Sequence, residues 1–320
     1  MVSAALERDS RILCVTAPNP SAMTLEGTNS YLVFGSRGSC IAIDPGPAIP
    51  RHIETLVERA TAHGARIGAI AVTHGHPDHA PGAALLAART GATVYAHSSA
   101  RFPHDVAVDG ELLRAEIAVD DVLLEAIHVP GHSRDHLAFY EPEERALFTG
   151  DVVIGHGTVV VAPPGGDMRA YQRSLGRLRD EFGAAATIRG GHGKRIDDPR
   201  AKLDEYIAHR AAREAEIVRR LERPSTIPEL VTAIYAATPR ILWPVAARQV
   251  LAHLIALEAE GVVIAETLGR APDRDEAAIL IPDLSIIGDP ELVEVARAEL
   301  GIAAAEREIV RYSLSSSPRT

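Results

Sequence analysis

Residues 71–80 read A-V-T-H-G-H-P-D-H-A and carry four metal-binding side chains, His74, His76, Asp78 and His79. Ile67, Ala69, Ile70, Ala71 and Val72 form an apolar run before them, long enough for a buried strand. Pro81 and Gly82 follow, and then an alanine-rich stretch over 83–88 that reads as a helix with proline in its first turn. The four polar side chains are therefore expected on a tight loop at the carboxyl end of a strand, where open α/β sheets carry their chemistry. Imidazole and carboxylate bind zinc at about 2.0 to 2.2 Å, and four such groups so close together suit two neighbouring ions better than one closed tetrahedral site. On an extended loop His74 and His76 project to one side, while Asp78 and His79 turn toward another point. A solvated polar turn is the plainer alternative, since His, Gly, Pro and Asp are all loop residues.

The stretch T-H-G-H-P-D-H resembles the H-x-H-x-D-H signature of the metallo-β-lactamase superfamily. Further ligands follow in the order that superfamily requires: His132 in V-P-G-H-S, Asp151 in L-F-T-G-D and His192 in G-G-H-G, each after an apolar run that reads as a strand. The resemblance covers roughly residues 11–195 and implies an α/β fold, the αββα sandwich. It also implies a first ion on His74, His76 and His132, and a second on Asp78, His79, Asp151 and His192, with Asp151 bridging the two. The expected cofactors are two divalent ions, zinc, with manganese or iron as alternatives at the same donors. They would lower the pKa of a shared water from 15.7 toward about 7, giving a bridging hydroxide at neutral pH. Asp78 is the expected catalytic residue, orienting that hydroxide as well as binding the second ion.

A chain of 320 residues suggests one large domain and a smaller one. At 46% hydrophobic and 24% charged it can bury a core, and a net charge of -10 gives no global basic field for nucleic acid or anionic lipid. Cys14 and Cys40 both lie in apolar runs and read as buried free thiols, so no cysteine-rich zinc site is expected. The amino terminus lacks the basic start and apolar core of a secretory signal. No apolar run approaches membrane-spanning length. A cytoplasmic enzyme without membrane partners is expected.

Before the metal motif, A-P-N-P-S-A-M-T-L-E-G-T-N-S precedes a strand over 31–34 and resembles the P-N-P-x-x-x-T-x-x-G-T-N-x-Y-L-V opening of one subgroup. That subgroup has a carboxyl-terminal winged helix, and some of its members are endoribonucleases. Strands are expected over 11–16, 39–44, 93–96, 122–129, 145–149 and 184–189, and helices over 48–63 and 168–181, the latter capped by Asp167. Asp44, in D-P-G-P, is read as orienting the metal loop, with a local turn role as the alternative. His52 and His63 read as ordinary helix-surface residues, and His97 and His104 as loop residues. His136 reads as packing, with proton handling as the alternative. His156 lies in a glycine- and proline-broken loop over the cleft, where substrate contact is the lesser reading.

The expected domains are a hydrolase over 1–198, a mainly helical winged-helix-like domain over 199–270 and a carboxyl-terminal extension over 271–320. Helices are expected over 199–221, from Ser225 or Thr226 onward, and over 245–260, with a β-hairpin wing over 261–268. The third helix offers one arginine and ends in two glutamates, poor equipment for phosphate contacts, so the module is read as shaping the cleft. An amphipathic helix over 291–300 and a frayed serine-rich tail complete the chain, and the extension is a candidate homodimer contact.

The expected function is hydrolysis at a binuclear centre, with the substrate open between a thioester or lactone and single-stranded RNA. Arg134, Lys194 and Arg195 are the candidate substrate contacts, solvated surface residues being the alternative. Acidity and 4% aromatic content lean toward a small substrate, since single-strand binders stack bases on aromatic side chains. A DNA-binding regulator with structural metals is the least favoured reading.

Overall fold

The computed structural model describes residues 11–99, 114–282, 297, 305 and 308–315. The amino-terminal decapeptide, His104, the helix expected over 291–300 apart from residue 297, and the serine-rich tail beyond residue 315 lie outside the described residues. The chain divides into two compact units, one of Met1–Pro130, Asp135–Val159 and Arg177–Leu203, the other of Gly131–Arg134, Val160–Gly176 and Asp204–Thr320.

The first unit is built on two five-stranded sheets. One holds β1 (Ile12–Thr16), β2 (Asn29–Phe34), β3 (Ser39–Ile43), β4 (Arg66–Ala71) and β5 (Thr93–Tyr95) in sequence order. The other runs β10-β9-β8-β7-β6, formed by β6 (Arg114–Val119), β7 (Val122–His128), β8 (Leu137–Glu141), β9 (Ala146–Gly150) and β10 (Thr187–Gly190). Two-residue alternation sends the side chains of the first sheet to opposite faces. Tyr31, Val33, Ile41 and Ile43 pack against Ile117, Leu124, Leu137, Phe139 and Phe148 of the second sheet. Leu32, Cys40 and Ala42 face the other way, onto α1 (Pro50–Ala62) and α2 (Gly82–Thr90) through Ile53, Leu56, Ala83 and Leu86. The second sheet is covered by the end of α3 (Met168–Phe182), where Phe182 meets the Tyr140 ring at 5.0 Å and Arg177 donates to the His128 carbonyl. This is the expected αββα sandwich. Strand β6, which no expectation included, carries Ala115, Ile117 and Val119 on its inner face.

Two expectations fail inside this unit. Cys14 is exposed on β1, the edge strand of its sheet, although it shares a face with buried Ile12; Cys40, on the inner strand β3, is buried. His52 is 3% exposed, its Nε2 lies 2.8 Å from the Ser30 hydroxyl, and burial lowers its pKa to about 4, so it is a neutral core group. His63 stays at the surface as expected, stacked on Phe34.

The second unit contains most of α4 (Pro199–Arg220), then α5 (Ile227–Ile234), a short 3-10 turn (Arg240–Leu242), α6 (Trp243–Ala259) and α7 (Arg274–Leu280). Thr226 caps α5 with a reciprocal box: Glu229 N donates to Thr226 Oγ1 and Thr226 N donates to the Glu229 carboxylate. The wing is not a local hairpin. Strand β12 (Val263–Thr267) pairs antiparallel with β13 (Val310–Leu314), whose other edge takes β11 (Ser225–Thr226). The carboxyl-terminal stretch therefore supplies the central strand of this sheet, and its Ile309 and Tyr312 join Leu230, Trp243, Val250 and Leu254 in the core. The stretch Arg240–Ala259 does reach the length and apolarity of a membrane-spanning helix, contrary to expectation, with mean hydropathy 1.3. Its most apolar window is 67% buried within the fold, which is how a core helix meets the same test.

Candidate metal centre

The loop between β4 and α2 is clamped from below by the turn that follows β3. Asp44, at φ 48°, is 2% exposed and accepts three hydrogen bonds: from Thr73 N at 2.7 Å, from Thr73 Oγ1 at 2.7 Å and from His79 Nδ1 at 2.8 Å. The neighbouring backbone closes the clamp, since Gly46 N donates to the His79 carbonyl and Gly82 N to the Gly46 carbonyl. A Cβ on Gly82 would lie 2.7 Å from the Pro45 carbonyl oxygen, so this approach requires glycine. The orienting role read for Asp44 is thus what its contacts perform.

His74, His76 and His132 form the first cluster, with ligand atoms all within 4.8 Å of one another. Thr73 Oγ1 gives its proton to Asp44 and has only a lone pair left for His74 Nδ1, at 3.0 Å. His74 therefore carries its own lone pair on Nε2, which lies 2.9 Å from His76 Nδ1. His132 Nδ1 donates to the Val160 carbonyl at 2.7 Å, which puts the lone pair of that ring on Nε2, where a cation can take it. Burial lowers the pKa of His76 and keeps it in the neutral form that binds metal.

Asp78, His79, Asp151 and His192 form the second cluster on the same distance criterion. His79 Nε2 lies 3.5 Å from Asp78 Oδ2 and 3.4 Å from Asp151 Oδ1; His192 Nε2 lies 3.2 Å and 3.4 Å from the same atoms. Both imidazoles are held from behind, His79 by Asp44 and His192 by the Gly27 carbonyl at 3.2 Å. Two glycines make the convergence sterically feasible. A Cβ on Gly191 would sit 2.5 Å from Asp151 Oδ1, and one on Gly150 would sit 2.7 Å from Thr73 Oγ1. The clusters adjoin through His74 and His79, whose ring centroids are 4.4 Å apart.

Burial works against charge on His79 and His192, yet Asp78 and Asp151 overcome it. The pKa of His79 rises well above its ordinary value and that of His192 to about 10. Burial likewise opposes ionisation of Asp78 and Asp151, but the two imidazoles hold Asp78 down to about 2 and Asp151 well below the carboxylate range. The two carboxylates thus favour positive charge beside them, carried by protons on the imidazoles or by a cation that displaces those protons. His79 Nε2, fully buried and without a hydrogen bond, points at both carboxylates, the arrangement a cation between them would satisfy.

Several supporting residues have roles that their place in the sequence does not disclose. His136 is more than packing: its Nε2 accepts the Asp151 backbone N–H at 3.1 Å and its ring stacks on His74 at 4.6 Å. Asn29 donates from its side chain to the Gly190 and Gly193 carbonyls, and Tyr31 Oη donates to Gly190 at 2.7 Å, so the G-T-N-x-Y opening pins the His192 loop. That motif is visible as a family signature, but its partner lies far along the chain. The candidate substrate contacts lie at the surface. Arg134 is exposed and donates to the Pro164 carbonyl, Arg195 is paired with Asp197, and Lys194 is exposed. His156 is also exposed, and His97 stacks on His128.

A family model described as the metallo-beta-lactamase superfamily matches residues 23–181, and one described as the beta-lactamase associated winged helix domain matches residues 226–270. The chain is 32% identical to the beta-lactamase-like protein 2 homolog of Drosophila melanogaster, over 82% of this chain and 92% of that protein. It is 34% identical to an atrochrysone carboxyl ACP thioesterase of Aspergillus chevalieri, over 72% of this chain and 74% of that protein. Among solved structures, a metallo-beta-lactamase family protein from Thermus thermophilus superposes with a TM-score of 0.65 at 24% identity, covering 80% of this chain and 96% of that one. A beta-lactamase domain protein from Burkholderia ambifaria superposes with a TM-score of 0.67 at 18% identity, covering 80% and 88%.

Proposed function

Given that this chain belongs to the metallo-beta-lactamase superfamily and is a metal-dependent hydrolase, we propose that it cleaves acyl thioesters at a centre of two divalent cations. The observation that carries the reading is the pair of adjoining His and Asp clusters. The donor chemistry fits: three imidazoles for one ion, and two imidazoles with two ionised carboxylates for the other. His74, His76 and His132 would hold the first, and Asp78, His79, Asp151 and His192 the second. When bound, such cations polarise a carbonyl and acidify water enough for it to be a nucleophile at neutral pH. Zinc is our choice for both positions, with manganese or iron able to use the same donors.

The chain's own groups set the geometry around that chemistry. Asp78, with its carboxylate held ionised, is purely a hydrogen-bond acceptor. Its side chain is 27% exposed, against 12% for Asp151 and 0% for His79, so it is the member of the second cluster that meets incoming water. Asp78 orients that water by accepting a hydrogen bond from it. The water oxygen forms the new bond to the acyl carbon and the C–S bond breaks; one water proton leaves on the thiol and the other passes to solvent, so the acid is released as carboxylate. Asp44, Gly27 and Val160 keep the imidazoles aimed while this happens.

The thioester assignment is supported by the named activity of the Aspergillus relative. Single-stranded RNA is the competing substrate, and α6 gives it little help. The lone arginine of that helix, Arg248, is 5% exposed and donates to the Leu280 carbonyl, while Glu258 and Glu260 are at the surface. A cytoplasmic location remains part of this proposal. Purified metal-loaded protein should release free thiol from an acyl-glutathione and an acyl carrier protein thioester, lose that activity to a chelator and regain it with added cation. Cleavage of single-stranded RNA with both thioesters untouched would overturn the assignment in favour of a nuclease. Inertness on thioesters, an acyl-homoserine lactone and RNA would count against every substrate considered.

A further inference from the structure

His132 is held differently from the other imidazoles. His74 and His79 are oriented by Thr73 and Asp44, close to the metal loop itself. The hold on His132 belongs to the second unit, which contains Gly131–Arg134, Val160–Gly176 and the whole of α6. His132 Nδ1 donates to the Val160 carbonyl at 2.7 Å. The N–H of the same peptide group, that of Val161, donates to Gln249 Oε1 on α6 at 2.9 Å, and that bond is buried.

One peptide unit therefore joins the two contacts in line, with the amide oxygen of Gln249 at one end and the imidazole of His132 at the other. An acceptor on the N–H polarises the peptide and strengthens its carbonyl as an acceptor for the imidazole. The assignment of Gln249 is unambiguous, because a backbone N–H can be met only by the side chain oxygen. The loop carrying His132 is seated on the same unit by backbone contacts. Asp167 N donates to the Gly131 carbonyl, and a Cβ on Gly131 would lie 2.2 Å from Tyr171 Cα.

We propose that Gln249, on the third helix of the winged-helix module, is a positioning residue for the metal centre: it fixes the Val160–Val161 peptide, whose carbonyl keeps His132 in the Nδ1–H tautomer with its lone pair on Nε2 for a cation. This rests on the binuclear reading given above. Partners of this kind behind ligating imidazoles are worth about 10- to 100-fold in metal affinity.

The test uses the full chain stripped of metal and titrated stepwise with Co2+ against a competing chelator, with the visible absorption of bound cobalt as readout. In Gln249→Leu, which leaves the Val161 N–H without its acceptor, the affinity of the three-histidine position should fall by about 10-fold or more, with the other position little changed. Gln249→Glu keeps an oxygen at the same reach and should restore wild-type binding. Thermal melting of the metal-free variants separates positioning from folding: a positioning role predicts that the cobalt affinity of Gln249→Leu falls further than its melting accounts for. Wild-type binding by Gln249→Leu would overturn the proposal, as would equal loss of both positions in both variants. If the wild-type chain itself takes up no cobalt, the binuclear reading fails and this inference fails with it; with a wild type that binds two ions, the result bears on Gln249 alone.

Discussion

Asp151→Ala is expected to reduce the bound cations from two per chain to one and to lower kcat/KM by on the order of 10³-fold, equivalent to about 4 kcal/mol of transition-state stabilisation. Asp151 Oδ1 is 3.4 Å from both His79 Nε2 and His192 Nε2, and its carboxylate is a principal cause of their raised pKa values. Without it the second cluster keeps one carboxylate, Asp78, beside two imidazoles, and the carboxylate charge that favours a cation is halved. The backbone loses little, because the Asp151 N–H still reaches His136 Nε2 and Gly150 still makes the turn. A folded variant with low activity and one cation is therefore the expected product. Metal analysis together with steady-state kinetics checks it, and a variant that keeps both ions and its rate would show that Asp151 does not bridge.

The second large effect is expected from Asp44, which touches no substrate. Asp44→Asn preserves size, and asparagine tolerates the positive φ of 48° that this turn requires. An amide can still accept from Thr73 N through one oxygen. Its NH2 group then faces Thr73 Oγ1 and His79 Nδ1, both of which donate to the carboxylate in the native protein. Relief comes if His79 moves its proton to Nε2, the nitrogen that faces Asp78 and Asp151. The affinity of the second cation should then fall about 10- to 100-fold while the fold persists. Chelator competition measures the affinity, and long-range nitrogen–proton NMR correlations report the His79 tautomer. Unchanged affinity with the tautomer retained would remove Asp44 from the account.

The ligand set is legible in sequence because each member carries a local signature. His74 to His79 crowd one loop, and His132, Asp151 and His192 each follow a glycine at the end of an apolar run. The αββα architecture is legible through the family resemblance these ligands carry, and the near-continuous apolar runs of β2 and β3 agree with a sheet covered on both faces. Pairings between distant residues are not. Nothing near His52 announces Ser30, nothing near Asn29 announces Gly190, and nothing at 261–268 shows that its strand partner lies at 310–314. The sequence shows that α6 has one arginine, too little for nucleic acid, but the burial of that residue against Leu280 emerges only in three dimensions. The same holds for Gln249, an ordinary polar residue on an apolar helix until the Val161 N–H is placed beside it.

The central claim is that seven side chains from four loops hold two cations side by side. Anomalous diffraction at the zinc edge, from crystals grown with excess zinc, measures this directly. Two peaks are predicted, one at about 2.0 to 2.2 Å from nitrogens of His74, His76 and His132, the other at like distances from Asp78, His79, Asp151 and His192. A single peak, or none within reach of these side chains, would contradict the account.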